Sequence, residues 1–131
     1  MKKGFTLIEL ICVIVLLGII AMIAIPTINT AINNSKEKAY NEQIALIEDT
    51  AKTYTSKHSL KLPNQTNGSK LCVSVAEMQK DGLLTSEAIQ NPNYEEGSTD
   101  AKKKNKTFTG SVVITWKNNK YLYKYEQNPS C

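Results

Sequence analysis

The sequence contains no arginine, so all 16 basic side chains among its 131 residues are lysines. Lysine carries a compact point charge, whereas the planar arginine fork holds a phosphate or a carboxylate through two parallel hydrogen bonds. Sites that depend on such a fork are therefore excluded. The net charge of +4 is also too small to indicate a nucleic-acid partner by itself.

Residues that serve catalysis or metal binding are scarce. There is one histidine, His58, and the three cysteines, Cys12, Cys72 and Cys131, are scattered along the sequence. This arrangement does not match the ligand spacing of a zinc site, and the sequence has no glycine-rich phosphate loop. We therefore expect no metal, no cofactor and no enzymatic activity, and we interpret His58 as a residue at a helix C-terminus.

Formal charge is absent from a long stretch near the N-terminus. No residue between Leu10 and Ser35 is charged, and the run that ends at Ile25 is almost wholly apolar. About 16–20 apolar residues are close to the minimum that crosses a bilayer. Because Lys2 and Lys3 precede this run, the N-terminus is expected to stay in the cytoplasm. The sequence thus predicts a single-pass membrane protein whose remaining chain lies outside the cell.

One acidic residue, Glu9, lies within the apolar segment. An ionisable group at membrane depth costs about 2.5–3.5 kcal/mol on insertion scales, so a partner for Glu9 is expected. The residues alone leave three interpretations open. Glu9 pairs with a group on another molecule, it pairs with Phe5 one turn earlier in the same chain, or it is protonated in lipid.

The start of the chain, Lys2-Lys3-Gly4-Phe5 with Glu9 four residues later, resembles the class III leader of the type IV pilin family. The resemblance implies that a prepilin peptidase cuts after Gly4 and that Phe5 becomes a methylated N-terminus. It implies that Glu9 meets the α-amine of Phe5 on a neighbouring subunit. It also implies further partners, namely other pilin subunits, an assembly platform protein and a cytoplasmic ATPase, with membrane lipid around the helix before assembly.

The pattern and the resemblance together predict an α+β fold of the pilin type. We expect a leader peptide at residues 1–4, a transmembrane and assembly helix at residues 5–26, and a globular head at residues 27–131. Residues 5 to about 58 are predicted to form one helix about 80 Å long. Its hydrophobic half should protrude, and its amphipathic half should pack on a small antiparallel sheet. Pro26 is expected to kink this helix and, by resemblance, to mark where it loosens in a filament.

Two patterns predict the core of the head. Apolar residues after Pro26 step by four and three along one helical face. Residues 111–126 alternate in polarity around Asn118-Asn119, which predicts a β-hairpin with a two-residue turn. The predicted cross-strand pairs are Trp116–Tyr121, Ile114–Tyr123 and Val112–Tyr125. The predicted core residues are Tyr40, Ile44, Ile47, Tyr54, Ile114, Trp116, Tyr121 and Tyr123.

Smaller elements of the head are predicted from local signals. We expect a helical turn over residues 76–80, a short helix from Thr85 or Ser86 to Ile89, and a third strand near Phe108. Cys12 is interpreted as an inert apolar residue. Cys72 and Cys131 lie in the exported part of the chain, where disulfides persist, and a bridge between them is expected. Two free thiols or an intermolecular bond remain open alternatives.

A lysine cluster in a polar loop, Lys102, Lys103, Lys104 and Lys106, could bind DNA weakly in a salt-sensitive way, although a solvated loop is the alternative. The functional prediction is a structural subunit of a type IV pilus or pilin-like filament, held first in the membrane and later in a cell-surface filament. The alternative is a minor pilin, or a competence or secretion pseudopilin, with a binding role. Adhesion, motility, DNA uptake and secretion all remain open.

Overall fold

The computed structural model describes residues 4–58 and 62–131, so Lys2 and Lys3 of the predicted leader lie outside the described residues. Its elements in chain order are helix α1 (Leu7–Lys57), strand β1 (Lys70–Ser74), helix α2 (Val75–Lys80), strand β2 (Ser111–Lys117) and strand β3 (Lys120–Glu126). The chain divides into two compact units, one that ends at Lys36 and one that runs from Glu37 to Cys131. This long N-terminal helix with a small antiparallel sheet confirms the predicted fold class.

Helix α1 continues without interruption across Pro26. Proline has no amide hydrogen, so the carbonyl of Met22 loses its helical donor. Beside this gap, the hydroxyl of Thr27 donates to the carbonyl of Ile23 at 3.2 Å, and the hydroxyl of Thr30 donates to the carbonyl of Pro26 at 3.1 Å. The carbonyls of Ile23 and Pro26 thus each accept a hydrogen bond from a threonine side chain. The kink expected at Pro26 stays a prediction.

The core of the second unit lies between α1 and one face of the sheet. The buried cluster consists of Ile47, Ala51, Tyr54, Val73, Val75, Met78, Ile89, Phe108, Val112, Ile114 and Tyr125. Partly buried against it are Tyr40, Ile44, Leu62, Leu83, Leu84, Tyr121 and Tyr123. Trp116 is half-buried and lies outside the cluster, with its ring edge-on to that of Tyr121 at a centroid distance of 4.7 Å. The tryptophan therefore lies at the margin of the core.

The sheet has the strand order β1-β2-β3, and both pairs are antiparallel. Strands β2 and β3 pair in the predicted register, with Trp116 opposite Tyr121 and Ile114 opposite Tyr123. The turn between them has positive φ at both central residues, 53° at Asn118 and 60° at Asn119. Two left-handed residues make a type I′ turn, whose twist matches that of the flanking strands. The hairpin prediction is confirmed.

The sequence analysis expected a third strand near Phe108, and this prediction is wrong. The third strand is β1 at Lys70–Ser74. Phe108 lies next to an isolated bridge in which Gln90 pairs with Thr107. The amide of Phe108 donates to the carbonyl of Ile89 at 2.9 Å, and the amide of Asn91 donates to the carbonyl of Lys106 at 2.9 Å. The backbone around Phe108 thus bonds to the loop beside it and not to the sheet.

The same bridge explains a second wrong prediction, because residues 85–89 do not form a helix. The carbonyl of Ile89 is used by Phe108, and the carbonyl of Glu87 accepts from the side chain of Gln79 at 2.8 Å. The helical turn predicted over residues 76–80 is confirmed as α2. Its N-cap is Ser74, whose hydroxyl accepts from the amide of Glu77, while the carboxylate of Glu77 accepts from the amide of Ser74.

One glycine is required by a close backbone approach. A side chain at Gly110 would overlap the backbone of Glu126 and Gln127 at the end of β3. The amide of Gly110 donates to the hydroxyl of Tyr125 at 3.0 Å, and its carbonyl accepts from the amide of Val75 at 3.0 Å. Gly110 therefore joins the start of α2 to the end of the hairpin.

Candidate functional site

The chain enters α1 through an exposed segment. Gly4, Phe5 and Thr6 precede the helix, and Phe5 is 89% exposed. A side chain built at Gly4 would meet no atom within 4 Å. The peptide bond between Gly4 and Phe5 therefore lies open on the surface, as a protease substrate requires.

Thr6 and Glu9 form a capping box at the start of α1. The backbone amide of Thr6 donates to Oε2 of Glu9 at 2.8 Å, and the hydroxyl of Thr6 donates to the same oxygen at 3.1 Å. In return, the amide of Glu9 donates to the hydroxyl oxygen of Thr6 at 3.3 Å. Such reciprocal bonds satisfy amide groups that have no partner within the helix. The carboxylate also lies at the positive end of the helix dipole.

Sequence reasoning missed this arrangement, because it considered only Phe5 as an intramolecular partner for Glu9. The signal was present in the sequence Thr6-Leu7-Ile8-Glu9, which has the spacing of a capping box. In the uncut chain the nitrogen of Phe5 is part of a peptide bond and carries no charge. An ammonium at Phe5 therefore arises only after cleavage behind Gly4.

The segment after Glu9 presents apolar side chains on all sides. Among the large apolar residues from Leu10 to Ile25, the exposed fraction ranges from 48% at Val13 to 79% at Met22. The most apolar window of α1 has a mean hydropathy of 3.1, and none of that window is buried. By length and composition, α1 could cross a membrane. An apolar surface of this size requires lipid or protein against it.

Cys72 and Cys131 form a disulfide, and their Cα atoms are 6.2 Å apart. Cys72 lies opposite Val113 in the sheet register, between the inward-facing Leu71 and Val73. It therefore points to the face of the sheet away from α1. Val113 is 6% exposed on that face. The bond holds the C-terminus against β1 beside Val113. Cys12 is an exposed free cysteine on α1.

The loop that contains Lys102, Lys103, Lys104 and Lys106 carries acidic residues as well. The ammonium of Lys103 lies 3.2 Å from the carboxylate of Glu95. The side chain of Asn91, only 8% exposed, donates to the carbonyl oxygens of Lys102 and Asn105 at 3.0 and 2.8 Å. The loop is therefore internally bonded, and part of its charge is neutralised.

His58 follows directly after α1, where it contacts Asp81, the C-cap residue of α2. Its Nε2 lies 3.3 Å from Oδ2 of Asp81, and the Nζ atom of Lys57 lies 3.2 Å from the same oxygen. Hydrogen bonding to Lys57 holds the pKa of Asp81 below its ordinary value, and His58 adds to this effect. The His58 ring also packs on Tyr54 at a centroid distance of 4.6 Å. This contact joins the end of α1 to α2. Within residues 4–58 and 62–131, no group of acidic, histidine and cysteine side chains could hold a metal ion.

Two tyrosine hydroxyls of the core are shifted by their surroundings. Burial raises the pKa of Tyr125, whose hydroxyl contacts Gln127. Burial also raises the pKa of Tyr40, and the negative charge of Asp100 adds to the shift. Both hydroxyls are therefore neutral at physiological pH.

Comparison with known families identifies the N-terminal segment. Residues 1–25 match the family described as the prokaryotic N-terminal methylation motif, which is the class III prepilin-like leader of type IV pilins. This motif is typical of structural subunits of the pilin type. No curated protein and no solved structure matches the chain significantly. The motif, the exposed bond after Gly4 and the apolar helix together indicate a type IV pilin-like precursor that is processed by a prepilin peptidase.

Proposed function

We propose that this chain is a structural subunit of a type IV pilus or pilin-like filament. The prepilin peptidase cuts after Gly4 and methylates Phe5, and the mature chain then polymerises out of the membrane. One observation carries this proposal: the methylation motif at residues 1–25 leads into a helix whose apolar side chains are exposed. In this scheme residues 1–4 are the leader, residues 5–26 the assembly helix and residues 27–131 the head.

The apolar surface of the assembly helix acts twice in this proposal. It first contacts lipid, with the N-terminus in the cytoplasm and the head outside, and it later contacts the same helix of other subunits. Transfer from lipid to protein provides little hydrophobic driving force, because both surroundings are apolar. Close packing and polar contacts between helices then decide the stability of the filament. Pro26, where one helical hydrogen bond is absent, is the proposed point of local loosening.

Glu9 is the proposed polar contact. Cleavage after Gly4 turns the nitrogen of Phe5 into an ammonium, and a carboxylate of a neighbouring subunit is attracted strongly to it in a medium of low dielectric constant. Pairing also relieves the desolvation of both groups. The capping box does not prevent it, because both bonds from Thr6 use Oε2 of Glu9 and a carboxylate accepts about four hydrogen bonds. Oε1 is thus available for the ammonium of Phe5.

Two substitutions of Glu9 separate the intersubunit pair from a purely local cap. Glutamine can replace glutamate in a capping box but carries no charge, whereas leucine removes both functions. We expect Glu9→Gln and Glu9→Leu to be inserted in the membrane and to form the Cys72–Cys131 bond, yet to be depleted from sheared filaments. A Glu9→Gln variant that enters filaments like the wild type would show that Glu9 acts only as a helix-capping residue. Thr6→Val, which loses the hydroxyl but keeps the carboxylate, is the matched control and should still assemble.

The alternative is a minor subunit, or a competence or secretion pseudopilin, that carries a binding role. The Lys102–Lys106 loop is the surface that sequence analysis offered for DNA. Subunit counting in purified filaments distinguishes the two cases. A major subunit forms most of the filament, whereas a minor subunit is present in only a few copies. The proposed platform protein and ATPase are tested by their deletion, which should leave the processed subunit in the membrane.

A further inference from the structure

The face of the sheet that is turned away from α1 carries four exposed lysines. Side chains alternate between the two faces of a strand. Since Val112 and Ile114 are buried against α1, the alternating set of residues points the other way. The lysines of this set are Lys70, Lys117, Lys120 and Lys124, all exposed, and we call them the basic sheet face.

The register brings these lysines into adjacent rows. Lys117 lies directly opposite Lys120 next to the turn. The next row consists of Lys70, Thr115 and Leu122, and the row after it of Cys72, Val113 and Lys124. The nearest acidic residue in this set is Glu126, at the far end of β3. The charged side chains of the first three rows are therefore all lysines.

Folding accounts for only part of this arrangement. Like charges directly opposite each other destabilise a strand pair, and Lys117 and Lys120 have this relationship. In the described part of the chain, none of the four ammonium groups takes part in an ion pair, whereas Lys52, Lys57 and Lys103 do. Lysines on edge strands discourage strand addition, which gives Lys70 on β1 and both Lys120 and Lys124 on β3 a role in the fold, whereas Lys117 belongs to the central strand β2. A face that places like charges opposite each other, and whose ammonium groups form no ion pair with any described residue, is open to an external polyanion.

The backbone of the basic sheet face is held by strand pairing. Three of its four lysines lie on β2 and β3, whose ladder and turn are fixed by the hairpin. The Cys72–Cys131 bond keeps the C-terminus beside Val113, next to the lysine rows. In the loop, by contrast, Lys103 is paired with Glu95. The lysines that lie on paired strands and form no ion pair within residues 4–58 and 62–131 are therefore those of the sheet.

The chemistry of the face decides which polyanion fits. The aromatic residues of the hairpin, Trp116, Tyr121, Tyr123 and Tyr125, belong to the opposite set, so the basic sheet face has no ring on which an unpaired base could stack. The chain has no arginine fork to read base edges. What remains is a group of point charges suited to phosphates. Duplex DNA presents one negative charge per about 1.7 Å of its axis.

We propose that the basic sheet face binds duplex DNA through backbone phosphates, without reading its sequence. The face is complete within one subunit, so binding does not depend on filament assembly. It gives the chain a binding site other than the Lys102–Lys106 loop. Three or four phosphate contacts predict that the affinity falls about 40–150-fold between about 50 and 200 mM salt.

The test uses the full chain in a non-ionic detergent and a fluorescently labelled duplex of random sequence, with anisotropy measured across that salt range. The sheet variant changes Lys70, Lys117, Lys120 and Lys124 to Gln. The control variant changes Lys80, Lys102, Lys104 and Lys106 to Gln, so that both lose the same charge. We expect the sheet variant to bind at least about tenfold more weakly with a flatter salt dependence. The control variant should stay within about threefold of the wild type.

Folding is checked by circular dichroism and by the presence of the disulfide. Lys120→Glu is a second, single variant that should lower the affinity without removing four side chains. Equal losses in the sheet and control variants would overturn the proposal, since net charge alone would then explain binding. It would also be overturned if the sheet variant bound DNA normally but failed to associate with other subunits. In that case the face would be a contact between copies. Binding of the wild type to anionic vesicles and not to the duplex would overturn it as well.

Discussion

The carboxylate of Glu48 on α1 accepts a hydrogen bond of 3.1 Å from the backbone amide of Tyr125 on β3. Strand β3 is at the edge of the sheet, so amides on its outer side have no partner strand. Exposed edges of this kind invite pairing with other chains. Glu48 thus fastens the helix to the sheet and satisfies an edge amide at the same time.

Replacing Glu48 tests this contact. We expect Glu48→Ala to lower the free energy of unfolding by about 1–3 kcal/mol, because a partly buried amide loses a charged acceptor. Glu48→Gln should cost less, since its amide oxygen still accepts. Guanidinium denaturation of the full chain in detergent measures both, and hydrogen exchange should become faster at Tyr125. Asp49→Ala, which removes an exposed carboxylate from the same helix, is the control, and an equal loss there would refute the role of Glu48.

The margin of the core is tested by two truncations in β2. Ile114 is fully buried, so Ile114→Ala should cost about 2–5 kcal/mol of unfolding free energy. Trp116 is half-buried and lies outside the cluster, so Trp116→Ala should cost less despite the larger side chain removed. The same denaturation measurement compares the two. A greater loss at Trp116 would mean that its ring lies deeper in the core than the structure places it.

The disulfide should contribute strongly to the stability of the head. Cys72 and Cys131 are 59 residues apart, and in the chain-entropy model closing such a loop is worth about 4 kcal/mol. We expect Cys72→Ser and Cys131→Ser to lower the denaturation midpoint equally, and the double variant to match either single one. Cys12→Ser, on α1, should leave it unchanged. Losses that add in the double variant would show that the cysteines act separately.

Asp81 predicts an acid-side loss of stability. Its pKa is lowered in the folded state, first by the hydrogen bond to Lys57, from a reference of 3.8. A lowered folded pKa means that the contribution is present above the unfolded pKa and disappears as the pH falls through the folded one. We expect Asp81→Asn to be less stable than the wild type at neutral pH. The two stability curves should begin to converge as the pH falls below about 4 and should meet once it is below the folded pKa.

Thermal melts from neutral pH to about pH 3 provide the comparison for Asp81. Glu96→Gln, an exposed carboxylate of the loop, serves as the charge-matched control and should leave the acid-side slope unchanged. A difference between wild type and Asp81→Asn that persisted at the acidic end would assign the effect to packing and not to the ion pair.

The hairpin could be predicted from the sequence because two independent signals agree there. Asn118-Asn119 tolerates the positive φ of a type I′ turn, and the alternation around it allows one register in which all apolar residues share a face. Helix α1 was predictable for a similar reason, since its pattern is long and continuous. Both elements are therefore determined by signals within their own sequence.

The third strand and the segment before Asn91 could not be predicted, because their hydrogen bonds go to distant residues. β1 is only five residues long and becomes a strand by pairing with β2, some forty positions later. Thr85 and Glu87 provide helix-start signals, yet the backbone at Ile89 bonds to Phe108. The full extent of the basic sheet face was missed for the same reason. Lys70 lies on β1, and only the pairing of β1 with β2 brings it close to Lys117 and Lys120.

The N-terminus of the assembled protein is the most direct test of the central claim. Filaments sheared from cells are purified, and this chain is analysed by intact-mass and peptide mass spectrometry. We expect a chain that begins at N-methylated Phe5 and lacks residues 1–4. A chain in the filament fraction that still begins at Met1, or a processed chain that never enters that fraction, would contradict it.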